Sequence, residues 1–149
     1  MQRDSPTLLL VERDSDATRA LLAFLERHDL RVLWVRDGES ALNALAHERV
    51  RSLAFALTAP RIDGLTVLRR ALERHAGLCA VAIADGPATE LADEAVRLGA
   101  ADVQTRPVHP DRLLAVIERG LTLQKNAARL AELETRLDRH FGFKSLDAR

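Results

Sequence analysis

Five short apolar runs, each followed by a segment of helical periodicity, constrain this chain more than any other feature. The runs occupy residues 7–11, 31–35, 52–57, 78–84 and 101–104. Most of them are apolar at consecutive rather than alternate positions, the pattern of strands buried on both faces of a parallel sheet. Between them, apolar residues return every three or four positions. Asp16 is placed to cap a helix carrying Leu21, Leu22 and Leu25, and Asp37-Gly38 turns the chain into a second with Leu42 and Leu45. Gly64 opens a third with Leu65, Leu68 and Leu72. Pro87 opens a fourth bearing Leu91, Ala95 and Val96 and ending at Gly99, and a fifth begins after Pro110-Asp111. These are ordinary helix start and stop signals. Together they predict a doubly wound α/β domain around a five-stranded parallel sheet. Its connections should be right-handed and its functional groups gathered at the carboxyl ends of the strands.

Composition narrows the function classes. A chain of 149 residues fits one domain and an appendage. Basic and acidic residues balance at 22 each, which argues against direct nucleic-acid binding, since that depends on neutralising phosphates. The single cysteine, Cys79, lies in an apolar run and reads as a small buried hydrophobe. No internal disulfide is possible with one cysteine, as suits a reducing cytoplasm. The first residues lack a signal-peptide pattern, and no apolar run approaches the roughly 20 residues of a membrane span. The five histidines show no ligand-like spacing. No Ser/His/Asp triad signature, glycine-rich phosphate loop or CxxC pair is visible, so the expectation is a protein that is not an enzyme.

The residues expected at the strand ends are Glu12, Arg13 and Asp14, then Ala56, Ala84 and Arg106-Pro107. The stretch Leu53-Ala-Phe-Ala-Leu-Thr-Ala-Pro60-Arg-Ile-Asp63-Gly64 reads as a buried strand, a proline-ordered loop and a helix start. With Leu98-Gly-Ala-Ala-Asp102 and Arg106-Pro107, this framework resembles the receiver domain of two-component response regulators over about residues 6–120. The resemblance implies a flavodoxin-like (βα)5 fold. It also implies an acceptor aspartate four residues before the loop proline, two acidic residues after the first strand that share a magnesium ion with it, a hydroxyl after the fourth strand, and a lysine before the proline after the fifth.

This chain departs from that pattern at nearly every chemical position. Counting four back from Pro60 gives Ala56. Arg13 replaces one of the acidic pair, Ala84 the hydroxyl, and Arg106 the lysine. Val103 stands where many receivers carry a switching aromatic. A methyl group cannot accept a phosphoryl group, and magnesium requires hard oxygen ligands in near-octahedral geometry. Magnesium binding is therefore expected to be weak or absent, with no other cofactor. An internal ion pair of Glu12 with Arg106 or Arg13 is expected to replace the metal. Asp63 is expected to shape the turn and cap the following helix.

The tail adds a second message. Helical pattern continues from Asp111 to about Phe141, which is about 45 Å of helix. Val116, Leu123, Leu130 and Leu137 recur every seven residues with Leu133 between the last two, while Gly120 and Asn126 interrupt the seam. A single apolar stripe beyond a domain suggests a parallel two-stranded coiled coil and a homodimer. The last residues, from His140 to Arg149, resemble the segment that leads into the AAA+ module of sigma-54-dependent activators of the nitrogen-regulator type. No Walker motif or helix-turn-helix follows, so such outputs would lie outside this chain.

The resulting expectation is a phosphorylation-independent receiver-like domain over residues 1–120, a coiled-coil extension over 121–141 and a linker stub over 142–149. It would act as a cytoplasmic regulatory and dimerisation domain of a bacterial transcription regulator. Its signalling face would lie on residues 87–98, 101–104 and 113–120, and its input would be a protein or a small molecule. The alternatives are a small-ligand sensor using the strand-end crevice and a receiver phosphorylated at an unorthodox residue.

Overall fold

In a computed structural model that describes residues 5–86 and 90–141, the chain runs β1 (Thr7–Val11), α1 (Asp16–Glu26), β2 (Arg31–Val35), α2 (Gly38–His47), β3 (Ser52–Ala56), α3 (Gly64–Arg74), β4 (Cys79–Ala84), α4 (Glu90–Leu98), β5 (Asp102–Thr105) and α5 (Pro110–Phe141). The five strands form one sheet in the order β2-β1-β3-β4-β5, and every neighbouring pair is parallel. This is the doubly wound (βα)5 fold predicted from the apolar runs, with the long C-terminal helix in place.

Alternation within the strands divides the core between two faces. Leu9, Val11, Leu53, Phe55, Ala80 and Ala82 point towards α2, α3 and α4, where they meet Leu45, Val67, Leu68 and Ala95. Leu8, Leu10, Ala54, Val81 and Ile83 point the other way, to Leu21 and Leu25 of α1 and Leu113 and Ile117 of α5. Because both faces are covered, the central strands β1, β3 and β4 carry apolar residues at consecutive positions and are buried along their whole length.

Two sequence expectations need correction. The cap of α1 is Ser15, whose hydroxyl oxygen accepts the Thr18 backbone N–H at 3.1 Å; Asp16 is the first helical residue. On α4, Leu91 and Val96 are exposed, and the buried stripe is Ala92 and Ala95. The sheet facing α4 there offers the methyl groups of Ala80, Ala82 and Ala84, so small side chains give the close approach and the larger ones are turned outward. Pro87, the expected start of this helix, lies outside the described residues.

The caps of α2 and α3 are Asp37 and Asp63, accepting the backbone N–H groups of Ser40 at 2.7 Å and Thr66 at 2.8 Å. The Ser40 N–H holds the Asp37 carboxyl below its ordinary range; desolvation opposes this, and the Ser40 side chain and the Arg61 charge assist it. A depressed folded-state pKa contributes stability that is complete above the unfolded value and is lost as pH falls through the folded one, here below about pH 4. Asp37→Asn keeps a capping oxygen without a titrating group. Its acid-unfolding curve should therefore be shallower than that of the wild type below about pH 4, as monitored by circular dichroism, and equal slopes would contradict this.

Helix α5 leaves the domain in a defined direction. Leu113, Leu114 and Ile117 are buried, Val116 and Leu121 are partly so, and Gly120 crosses Cys79 so closely that a Cβ there would lie 2.4 Å from the sulfur. Burial raises the Cys79 thiol pKa. The Gln124 side-chain amide donates to the carbonyls of Arg51 at 2.9 Å and Gly77 at 3.0 Å. From Lys125 to Arg139 every residue is exposed. The residues from 142 onward, where the linker stub was expected, lie outside the described part. Among the described residues, no helix is long and apolar enough to cross a membrane.

Candidate functional site

Because all strands are parallel, their carboxyl ends meet along one edge of the sheet, where Glu12, Ala56, Ala84 and Arg106 follow or end β1, β3, β4 and β5. Backbone bonds carry the ladder a step past the strands and fix these positions. Glu12 N–H donates to the Val35 carbonyl at 3.1 Å, Leu57 N–H to Ile83 at 2.9 Å, and Arg106 N–H to Ala84 at 2.8 Å. The Arg106-Pro107 peptide is cis.

One cation organises this edge. The Arg106 guanidinium donates to both oxygens of Glu12, Nε to Oε2 at 3.1 Å and Nη2 to Oε1 at 2.5 Å, while Nη1 donates to Asp85. The reach runs from β5 to β1, across the ends of β3 and β4, which close with the methyl groups of Ala56 and Ala84. The Glu12 side chain is only 6% exposed, that of Arg106 18%, whereas Asp85 is open to solvent. Desolvation works against the Arg106 charge, but Glu12 and Asp85 outweigh it and raise the pKa above the ordinary arginine value. Such a fork-shaped pairing suits arginine rather than lysine. The remaining bond to Glu12 comes from the backbone N–H of Arg13, at 3.0 Å.

Of the two arginines considered as partners for Glu12, Arg106 is the one that pairs. The Arg13 side chain is exposed, and among the described residues its guanidinium makes no ion pair. Asp14 does not join the cluster either. It accepts two bonds from Arg19 at 2.8 and 2.9 Å and lies 3.6 Å from Arg36, and the Arg19 hydrogen bond is the main cause of its lowered pKa. Both of these arginines stand over the Trp34 ring, whose indole N–H donates to the Glu12 carbonyl at 2.8 Å. Val103 is partly buried against the core on the α2–α4 side of the sheet. Sequence reasoning missed Asp85, and with it Thr58, whose hydroxyl donates to Asp85 at 3.4 Å. The available signal was the position of Asp85, directly after the fourth apolar run.

The donor set does not fit a hard divalent cation. Both Glu12 oxygens already accept guanidinium protons, Asp85 accepts from the same group, and Asp14 is engaged elsewhere. Among the described residues, no group of three or more His, Cys, Asp or Glu side chains could hold a metal ion.

A five-stranded parallel sheet in the order β2-β1-β3-β4-β5 with helices on both faces is the architecture that receiver-type signalling domains share. The family model of the Response regulator receiver domain matches residues 8–118, and this chain belongs to that family. It is similar to the response regulator receiver protein CpdR of Brucella abortus, 31% identical over 114 residues, which make up 76% of this chain and 95% of that protein. It is also similar to the nitrogen assimilation regulatory protein NtrX of Azorhizobium caulinodans, 28% identical over 129 residues and 85% of this chain. The C4-dicarboxylate transport transcriptional regulatory protein DctD of Pseudomonas aeruginosa is 28% identical over 118 residues and 79% of this chain. The chain spans 28% of the length of NtrX and 26% of that of DctD. Among solved structures, NtrX of Brucella abortus superposes with a TM-score of 0.77 at 28% identity, covering 89% of this chain and 31% of that one.

Proposed function

We propose that this chain is a receiver domain that works without phosphorylation, fixing the geometry of a dimer for an output module of the kind found in transcription regulators. The observation that carries this reading is the Arg106 guanidinium joining Glu12 and Asp85 at the sheet edge where β3 and β4 end in Ala56 and Ala84. By its spacing from Pro60, Ala56 stands at the family's acceptor position, and a methyl group offers no nucleophile. Arg106 supplies internally the positive charge that a metal would bring to clustered carboxylates. A cluster balanced by its own residues calls for neither a metal nor a phosphoryl group, so a signal must act elsewhere.

The output end of the reading rests on α5. Gly120 against Cys79 and Gln124 on the carbonyls of Arg51 and Gly77 tie the helix to the sheet, so that the domain and the extension turn as one body. Leu123, Leu130, Leu133 and Leu137 remain 46–61% exposed beyond it. Val116 differs from these seam residues, being partly covered by the domain core. Leu91 and Val96 on α4 add a second apolar patch for association. Similarity to part of the regulatory proteins NtrX and DctD supports an output module in a cytoplasmic regulator, and the resemblance of the tail points to an AAA+ and DNA-binding output.

Two measurements test this. Incubation with acetyl phosphate and magnesium, followed by intact-mass spectrometry, should give no phosphoryl adduct; one adduct on an aspartate such as Asp85 or Asp14 would establish the unorthodox-acceptor alternative. Sedimentation equilibrium should show a dimer for the full chain and a monomer for a chain ending after Gln124, whose side-chain amide ties α5 to the Arg51 and Gly77 carbonyls. A dimer that survives truncation would move the interface to the receiver itself.

A further inference from the structure

Resting on the dimer reading above, we propose that the exposed face of α5 takes a second copy of this chain in parallel and in register. Arg129 of each chain, paired with Glu134 of the other, selects that orientation.

If Leu123, Leu130 and Leu137 are the first apolar positions of successive heptads, Asn126 and Leu133 are the second. Arg129 and Arg136 then stand immediately before a first position, and Glu134 immediately after a second. In a parallel coiled coil, the residue before the first apolar position lies against the partner residue five further along the chain. Five beyond Arg129 is Glu134. Two-fold symmetry makes the pair twice, once in each direction. In an antiparallel arrangement the residues before the seam face one another, which would bring Arg129 and Arg136 against arginines. One helix thus carries both halves of a complementary pair at the separation that only a parallel copy satisfies.

Three structural observations agree with this occupant. Arg129 and Glu134 are exposed, and among the described residues neither forms an ion pair within its own chain. Lys125 and Ala128 still border grooves beside Arg49, Arg51 and His75, but residues 125–139 are exposed throughout, so the domain does not cover the seam leucines. Finally, Asn126 is exposed on the same face, and in the in-register dimer it would meet only its own copy. A single polar core residue of this kind sets register at some expense of affinity.

Charge reversal is the test. Wild type, Arg129→Glu, Glu134→Arg and an equimolar mixture of the two variants would be compared by sedimentation equilibrium and native mass spectrometry at low salt. Each variant alone places like charges at both pairs, and its dimer dissociation constant should rise on the order of tenfold. The mixture restores both pairs and should return to wild-type affinity with heterodimers in excess. Equal helicity by circular dichroism would assign the change to association rather than folding. Variants that dimerise like wild type, or a mixture without preference for heterodimers, would overturn the pairing while leaving the dimer reading intact. A wild type that is monomeric throughout would overturn both.

Discussion

Replacing Gly38 by alanine should destabilise the domain by about 3 kcal/mol, although alanine is the better helix former by roughly 1 kcal/mol. Gly38 is the first residue of α2, and its N–H donates to the Pro60 carbonyl at 3.0 Å. A Cβ there would lie 2.1 Å from the Ile62 carbonyl oxygen and 2.7 Å from the Ile62 Cβ. The obstacle is backbone and cannot rotate away as the end of a flexible side chain could. The loop is also held from behind, since Gly64 donates to the Leu57 carbonyl at 3.1 Å and its own missing Cβ leaves only 2.6 Å to the Ala56 carbonyl. Displacing residues 60–62 would therefore strain the end of β3. Urea unfolding of wild type and Gly38→Ala checks this, and an unchanged or raised midpoint would show that the loop yields easily.

Loss of the Arg106 side chain should be comparably severe. Arg106→Ala leaves Glu12, with a side chain only 6% exposed, holding a charge against a single backbone N–H. Removing one partner of a well-buried pair costs about 3–5 kcal/mol. Because the Asp85 end is open to water, about 3 kcal/mol is expected, equivalent to a melting temperature lower by about 10 °C. The double variant Glu12→Met with Arg106→Leu should recover most of that loss, since an apolar pair of similar volume often replaces a buried ion pair at little net cost. A double-mutant cycle gives the coupling directly. Near-additive losses would mean that Glu12 and Arg106 stabilise the domain independently and that the bridge is incidental. The single tryptophan adds a local readout, because the Trp34 indole N–H is bonded to the Glu12 carbonyl.

Much of the fold was legible because it rests on local signals. Each run became a strand within one or two residues of its expected limits, most plainly β1, β3 and β4, where burial on both faces leaves a mark at every position. Asp37 and Asp63 announced helix starts because a capping side chain bonds to a backbone N–H only three residues away. Position along the strands also brought Glu12, Ala56, Ala84 and Arg106 to one edge of the sheet, because parallel strands share a carboxyl end.

Contacts between distant segments were not legible in this way. Arg106 and Glu12 are 94 residues apart, and charge pattern alone left Arg13 and Arg106 equally eligible. Only the folded sheet decided between them, because its parallel order gathers the ends of β1 and β5 on one edge, and Arg13 is turned outward. The same order gave Asp85, rather than Asp14, to the cluster, because Arg19 on the first turn of α1 and Arg36 after β2 lie closer to Asp14. On α4 the periodicity showed that one side was apolar but not which stripe would touch a sheet of alanines. The sequence by itself determined the elements, their layering and the edge at which chemistry could occur, since hydrophobic period and capping act within a few residues. The tertiary structure decided which charges pair, which leucines stay exposed and where α5 leaves the domain. Those outcomes depend on distances between segments that no local pattern encodes.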